Sequence, residues 1–179
     1  MQIIGGTHKG RKLIGLNGEQ IRPTGAKIRG AVFNMMAPYI EGAIFLDGFA
    51  GSGAMGIEAL SRGVSSSVFV DSCAQSIAVL EKNLQKLGLK EQSIVRRDNF
   101  FHFIKKTDIK FDIIFIDPPY AMAEVSEMVS LVAEADVLQR GGFLIAEHDV
   151  LVLLKADERL QTVKQKKYGN TIISVFERM

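Results

Sequence analysis

Residues 43–62 read AIFLDGFAGSGAMGIEALSR, and the order of residue types in this stretch decides the fold. A short apolar run, Ala43-Ile44-Phe45-Leu46, gives way to a glycine-rich turn and then to a helical pattern over 54–62. Four apolar residues bounded by turn signals are the mark of a strand buried on both faces. Glycines in the turn let the backbone bend sharply and let a ligand approach the main chain. The following helix aims its unpaired N–H groups at that turn. Strand, glycine turn and helix in this order make the ligand-binding corner of an open α/β sheet, whose ligands sit at the carboxyl ends of the strands.

The pattern continues outward. Ser67 to Val70, Ser93 to Val95, Phe111 to Ile116 and Gly142 to Ala146 are further short apolar runs. Between them, Ile77, Leu80, Leu84 and Leu87 recur at helical spacing in 74–88, with Gly88 as the C-terminal cap, and 121–135 also reads as helix. Alternation of this kind predicts an α/β fold, a Rossmann-like, mostly parallel sheet with helices on both faces. At the end, Gln161 to Lys167 and Thr171 to Glu177 flank Tyr168-Gly169-Asn170, which predicts an antiparallel hairpin. At the start, residues 1–24 hold five glycines and predict a small β arm, followed by an arm helix over 25–37. No repeat or long linker divides the chain, so 1–179 is expected to form one domain, with 43–179 as its core.

Composition narrows the functional classes. Hydrophobic residues at 47% and charged residues at 23% fit a packed domain rather than a disordered chain. No stretch is apolar enough to span a membrane, and the opening MQIIGGTHKGRKL offers no secretion signal. The lone Cys73 fits a reducing cytoplasm and reads as a packing residue, with no metal site at its spacing. Net charge is only +2, but Lys9, Arg11, Lys12, Arg22, Lys27 and Arg29 share their stretch with Glu19 alone, and Lys164, Lys166 and Lys167 form a second cluster. Both runs read equally as solvated surface or as phosphate-binding patches.

The glycine turn admits two cofactors. Gly51-Ser52-Gly53-Ala54-Met55-Gly56 matches the dinucleotide fingerprint, and Asp71 follows Gly51 by 20 residues, a suitable offset for a ribose-binding acid. Asp47, just before the turn, argues otherwise. A pyrophosphate there would face a carboxylate at short range. S-adenosylmethionine carries an ammonium and a sulfonium, and an acid at that position favours it.

The fourth strand ends in Asp117-Pro118-Pro119-Tyr120. Two prolines fix φ and restrain Asp117 as well, giving a stiff turn beside the cofactor corner. An exocyclic amine of a base is a poor nucleophile because its lone pair is delocalised. The Asp117 carboxylate and the Pro118 carbonyl are suited to accept hydrogen bonds from such an NH₂ and aim its lone pair at a methyl group. Tyr120 is suited to stack on the base. Asp-Pro and Pro-Pro also mark ordinary turns; following Asp47, the glycines and Asp71, they point to amino methylation.

These residues resemble the class I methyltransferases that act on amino groups. The chain resembles more closely the RsmD-type small-subunit (16S) ribosomal RNA guanine-N2 methyltransferases. The likeness is carried by IIGGTHKGRKL, IRPTGAKIRGAVFNMMAPYI, LDGFAGSGAMGIEALSRG, VFVD, RRDNF and FDIIFIDPPY, across nearly the whole chain. The resemblance implies S-adenosylmethionine as cofactor and ribosomal RNA, within a small-subunit assembly, as partner, with no metal and no membrane. It implies that Asp47, Gly51 and Gly53 line the methionine part of the cofactor. Asp71 would hold the ribose, and Asp98, with Asn99 beside it, the adenine amino group. Arg22, Pro23 and Thr24 would close over the cofactor, Asp117 to Tyr120 would hold the base, and Lys9, Arg11 and Lys12 would contact RNA phosphates. Ala26, Lys27 and Gly30 depart from the family pattern, which has an acid, an arginine and a glutamate there. Asp71 replaces the more usual glutamate.

Of the three histidines, His102 lies in a Phe-rich helix start and reads as packing, while His148, after Glu147 at a strand end, stands near the cleft. The rival functions are adenine-N6 DNA or RNA methylation, protein glutamine methylation, an NAD-dependent oxidoreductase, and a non-catalytic RNA-binding domain.

Overall fold

A computed structural model describes residues 1–16, 23–118, 124–154 and 157–179, with Pro23 and Thr24 described as backbone only. Arg22, Pro119 and Tyr120 therefore lie outside the described residues.

The apolar runs pair into one seven-stranded sheet of order β3-β2-β1-β4-β5-β7-β6. The strands are β1 Ile44–Asp47, β2 Ser66–Asp71, β3 Ser93–Arg97, β4 Phe111–Ile116, β5 Leu138–Asp149, β6 Leu160–Tyr168 and β7 Thr171–Arg178. β1 to β5 run parallel, and β7 turns antiparallel against both β5 and β6. The chain steps from β1 out to β3 and returns to place β4 against the other side of β1. In open α/β sheets ligands bind at such a reversal, outside the carboxyl ends of the strands, here those of β1 and β4.

Helices α1 Pro23–Met36, α2 Ala54–Ser61 and α3 Ala74–Leu87 cover one face, and α4 Phe100–Lys106 and α5 Val125–Glu134 the other. On the first face Phe33, Phe45, Ile57, Phe69, Leu80 and Leu84 are buried together. On the second, Phe100, Phe111, Met128, Val132 and Phe176 pack against Leu46 and Ile114. Fully burying such a side chain contributes roughly 1.5–3 kcal/mol.

The N-terminal arm forms a minimal hairpin closed by a Gln2–Lys12 bridge, with Ile3 and Leu13 turned into the core. It is fastened from below by α2. The buried Glu58 carboxylate accepts from the backbone N–H groups of Ile4 and Gly5, both at 2.8 Å. The same carboxylate pairs with Arg62 at 2.8 Å and with buried Arg29 at 3.5 Å. Ser61 adds a bond from its hydroxyl to the Gly5 carbonyl at 2.6 Å. Farther along the arm, Asn83 of α3 accepts from Ile14 N–H at 2.8 Å and donates to the Ile14 carbonyl and to the Ser52 carbonyl of the glycine turn.

Several expectations shift. The arm helix begins at Pro23 rather than 25, because proline suits the first turn, where its missing N–H has no partner to lose. The helix expected over 121–135 is described from Val125 to Glu134. β5 runs on past Ala146 to Asp149, pairing with β7 to the end. Cys73, expected to pack, is exposed, because it stands at the N-cap of α3 just past the sheet. Ala26 and Lys27 are exposed, and a Cβ at Gly30 would meet no neighbour, so these departures leave the core untouched.

Candidate active site

The glycine turn is built by the strands that flank it. Gly48 N–H donates to the Phe115 carbonyl at 2.9 Å, and Ala50 N–H to the Val70 carbonyl at 3.0 Å. Gly51 and Gly53 then take φ of +52° and +86°, a region that favours glycine. At Gly53 a Cβ would also stand 2.3 Å from the Leu80 side chain. Gly56 is required for another reason: a Cβ there would lie 2.2 Å from the Phe69 ring, so it sets the close packing of α2 on β2.

Three acids expected at the site end adjacent strands: Asp71 on β2, Asp47 on β1 and Asp117 after β4. Asp47 is 1% exposed and accepts from Gly56 N–H at 2.9 Å, in the first turn of α2. Its carboxyl is pushed up to about 7, first by burial and then by the negative charges of Asp117 and Asp71, against the lowering pull of the Gly56 N–H. Asp71 is half-buried; one oxygen accepts from Gly51 N–H and the other from Cys73 N–H, each at 2.8 Å. The N–H groups of Gly51 in the turn and Gly56 in α2 thus face carboxylates rather than open space. Asp117 is exposed and Pro118 buried.

Asp98 stands just past β3 and accepts from Asn99 N–H at 2.7 Å. The imidazole of His102 meets it at 2.7 Å, and this bond holds the Asp98 carboxyl below its usual range. Asn99 caps α4, accepting from Phe101 and His102 N–H. His102 is half-exposed rather than packed, because helical periodicity turns Phe100 and Phe103 inward and His102 out. The i, i+4 spacing of Asp98 and His102 was the available signal for this pair.

His148 does not open on the cleft. It is buried in the sheet, with Nε2 2.8 Å from Ser174 Oγ and Nδ1 2.9 Å from the Asp149 carbonyl. Burial lowers its pKa. Lys9, Arg11 and Lys12 are exposed along the outer side of the arm, where Lys86 of α3 donates to the Lys12 carbonyl at 3.0 Å. Among the described residues, no cluster of three or more His, Cys, Asp or Glu side chains is grouped to hold a metal ion.

Known proteins share this architecture over its full extent. The family model described as Conserved hypothetical protein 95 matches residues 1–177. YlbH of Bacillus subtilis, whose name carries rRNA methyltransferase as a provisional activity, is 37% identical over 99% of both chains. Ribosomal RNA small subunit methyltransferase D of Haemophilus influenzae is 36% identical, covering 94% of this chain and 89% of its own. The solved structure of yhhF from Escherichia coli superposes with a TM-score of 0.90 at 30% identity, covering 99% of this chain and 97% of that one. Matches this long and this similar, on the same arm, sheet and glycine turn, make the chain a member of the Conserved hypothetical protein 95 family, the family of the RsmD-type ribosomal RNA methyltransferases.

Proposed function

We propose that this protein transfers a methyl group from S-adenosylmethionine to the exocyclic N2 amine of a guanine in small-subunit ribosomal RNA. The observation that carries the reading is the gathering of three carboxylates, Asp47, Asp71 and Asp117, at the glycine turn, where Gly51 N–H donates to Asp71 and Gly56 N–H of α2 to Asp47. Such a gathering fits a ligand bearing an ammonium and a sulfonium and repels a pyrophosphate. The names of the ribosomal RNA methyltransferases among its relatives support the substrate class.

In this reading Asp47, Gly51 and Gly53 hold the methionine end, Asp71 the ribose, and Asp98 with Asn99 the adenine. Arg22, Pro23 and Thr24 close over them. S-adenosylmethionine held there would supply a sulfonium-activated methyl group. Asp117 and the Pro118 carbonyl accept hydrogen bonds from the guanine NH₂, orienting its lone pair in line with the methyl carbon. The Asp117 carboxylate would stabilise the positive charge that develops on the methylated amine and would accept its proton. Tyr120 stacks on the base. Lys9, Arg11 and Lys12 contact phosphates, so RNA affinity falls with salt.

Asp117→Ala is expected to lower methyl transfer by at least about 100-fold, the range for a lost general base. Affinity for S-adenosylhomocysteine, read by calorimetry, should stay within about twofold. Wild-type turnover in that variant would make Asp117 structural. Nucleoside mass spectrometry of RNA from cells lacking the protein should show loss of N2-methylguanosine. Efficient transfer to DNA adenine, with no ribosomal activity in any assembly state, would replace this reading with the adenine-N6 one.

A further inference from the structure

The loop after β5 presents two large apolar side chains to solvent: Leu151 is 90% exposed and Leu153 82%. Their neighbours face the other way. Leu154 is buried, and Val152 packs partly against the same core. The loop is also tied down by hydrogen bonds. Leu151 N–H donates to the Asp149 carboxylate at 2.8 Å, Val152 N–H to the Asp149 carbonyl at 3.0 Å, and Val150 N–H to the Asn170 carbonyl at 2.8 Å. A pinned loop that turns alternate apolar residues outward is a built feature, since burying them would be favourable by roughly 1.5–3 kcal/mol each.

Its position is specific. β4 pairs with β5 through Ile116 and Ala146, so Asp117 stands level with Glu147, one strand away from the stem of this loop. In the same cross-strand row, Glu147 meets Ile173 and Ile173 meets Lys166. At about 4.8 Å per strand, Lys166 lies roughly 14 Å across the sheet from the level of Asp117. Lys164, Lys166 and Lys167 are all exposed on this edge strand. The same end of the sheet thus carries an apolar tip beside the Asp117 turn and a basic rim beyond it.

We infer that Leu151 and Leu153 form a wedge that enters the RNA base stack next to the target nucleotide, while Lys164, Lys166 and Lys167 hold backbone phosphates on that side. The inference rests on the RNA reading above. A base offered to Asp117 must leave its stack, and the gap it leaves is filled by apolar side chains in other proteins that open stacked nucleic acid. The basic rim selects RNA over an uncharged or basic protein surface as the occupant.

The experiment uses the full protein with small-subunit particles and naked ribosomal RNA from cells lacking it. A benzophenone amino acid replacing Leu153 should crosslink to nucleotides bordering the methylated guanine. Leu151→Ser with Leu153→Ser should lower kcat/KM on the ribosomal substrate by about tenfold or more, leaving the melting temperature and S-adenosylhomocysteine affinity unchanged. Lys166→Ala with Lys167→Ala should reduce the slope of log affinity against log salt by about 0.7 for each phosphate that is no longer neutralised. Crosslinks to a ribosomal protein alone, or unchanged kcat/KM in the leucine variant, overturn the inference. Crosslinking of the Leu153 variant to ribosomal RNA that the wild-type protein does not methylate would overturn the function proposed above and leave the surface standing.

Discussion

Two carboxylates bracket α2, both shut away from water, and the chain treats them in opposite ways. Glu58, in the last turn, meets two arginines and two backbone N–H groups. Asp47, facing the first turn, has the Gly56 N–H and is surrounded by further negative charge from Asp71 and Asp117. A buried charge is tolerated when it is paired and hydrogen-bonded, and is costly otherwise. The difference separates a fastening from the proposed binding site. At Glu58 the partners belong to the chain and hold the arm in place. At Asp47 no positive charge stands opposite among the described residues, and a cationic ligand would bring one.

The largest effect on stability should come from Glu58→Ala. It strands Arg29 without its carboxylate and frees two arm N–H groups, and losing one partner of a buried pair costs about 3–5 kcal/mol. Urea unfolding measures this; a loss under about 1 kcal/mol would show that the arm is not fastened there.

Asp47→Asn should act in the reverse direction. The Asp47 carboxyl is raised from 3.8 to about 7 on folding, so the folded protein binds the proton more tightly than the unfolded chain. Stability from this group is full below pH 4 and is lost as pH rises through about 7. At about 1.4 kcal/mol per unit the loss is on the order of 4 kcal/mol. The asparagine variant, free of that penalty, should therefore be more stable than wild type at pH 8 while binding S-adenosylhomocysteine more weakly. A variant less stable at pH 8, with unchanged cofactor affinity, would break the contrast with Glu58. The smallest effect is expected from Arg62→Ala, since Arg62 is partly exposed and Arg29 remains to pair Glu58. It should cost about 1.5–3 kcal/mol, the worth of a hydrogen bond to a charged group.

Much of this was legible along the chain. The strand, turn and helix at 43–62 and the hairpin at the end follow from local periodicity, and the structure has them. The positions of the acids that end β1 and β2 and follow β4 were also legible. What their oxygens touch was not, because Asp47 meets Gly56 and Asp71 meets Gly51 through backbone geometry that spacing does not encode. His148 misled because a strand end reads as a cleft; β5 continues to Asp149, and Ser174 arrives from β7 to pair the imidazole. Glu58 was silent for the same reason. A glutamate among apolar residues of a helix shows nothing of partners 54 residues earlier.

The arm's attachments also impose an order of events during synthesis. Ile14 leaves the ribosome first, but the Asn83 amide that receives it follows 69 residues later. At about 5–20 residues per second, that is an interval of roughly 3–14 seconds. Until then the Ile14 end of the arm lacks its Asn83 partner, although Glu58, the partner of Ile4 and Gly5, has already been made.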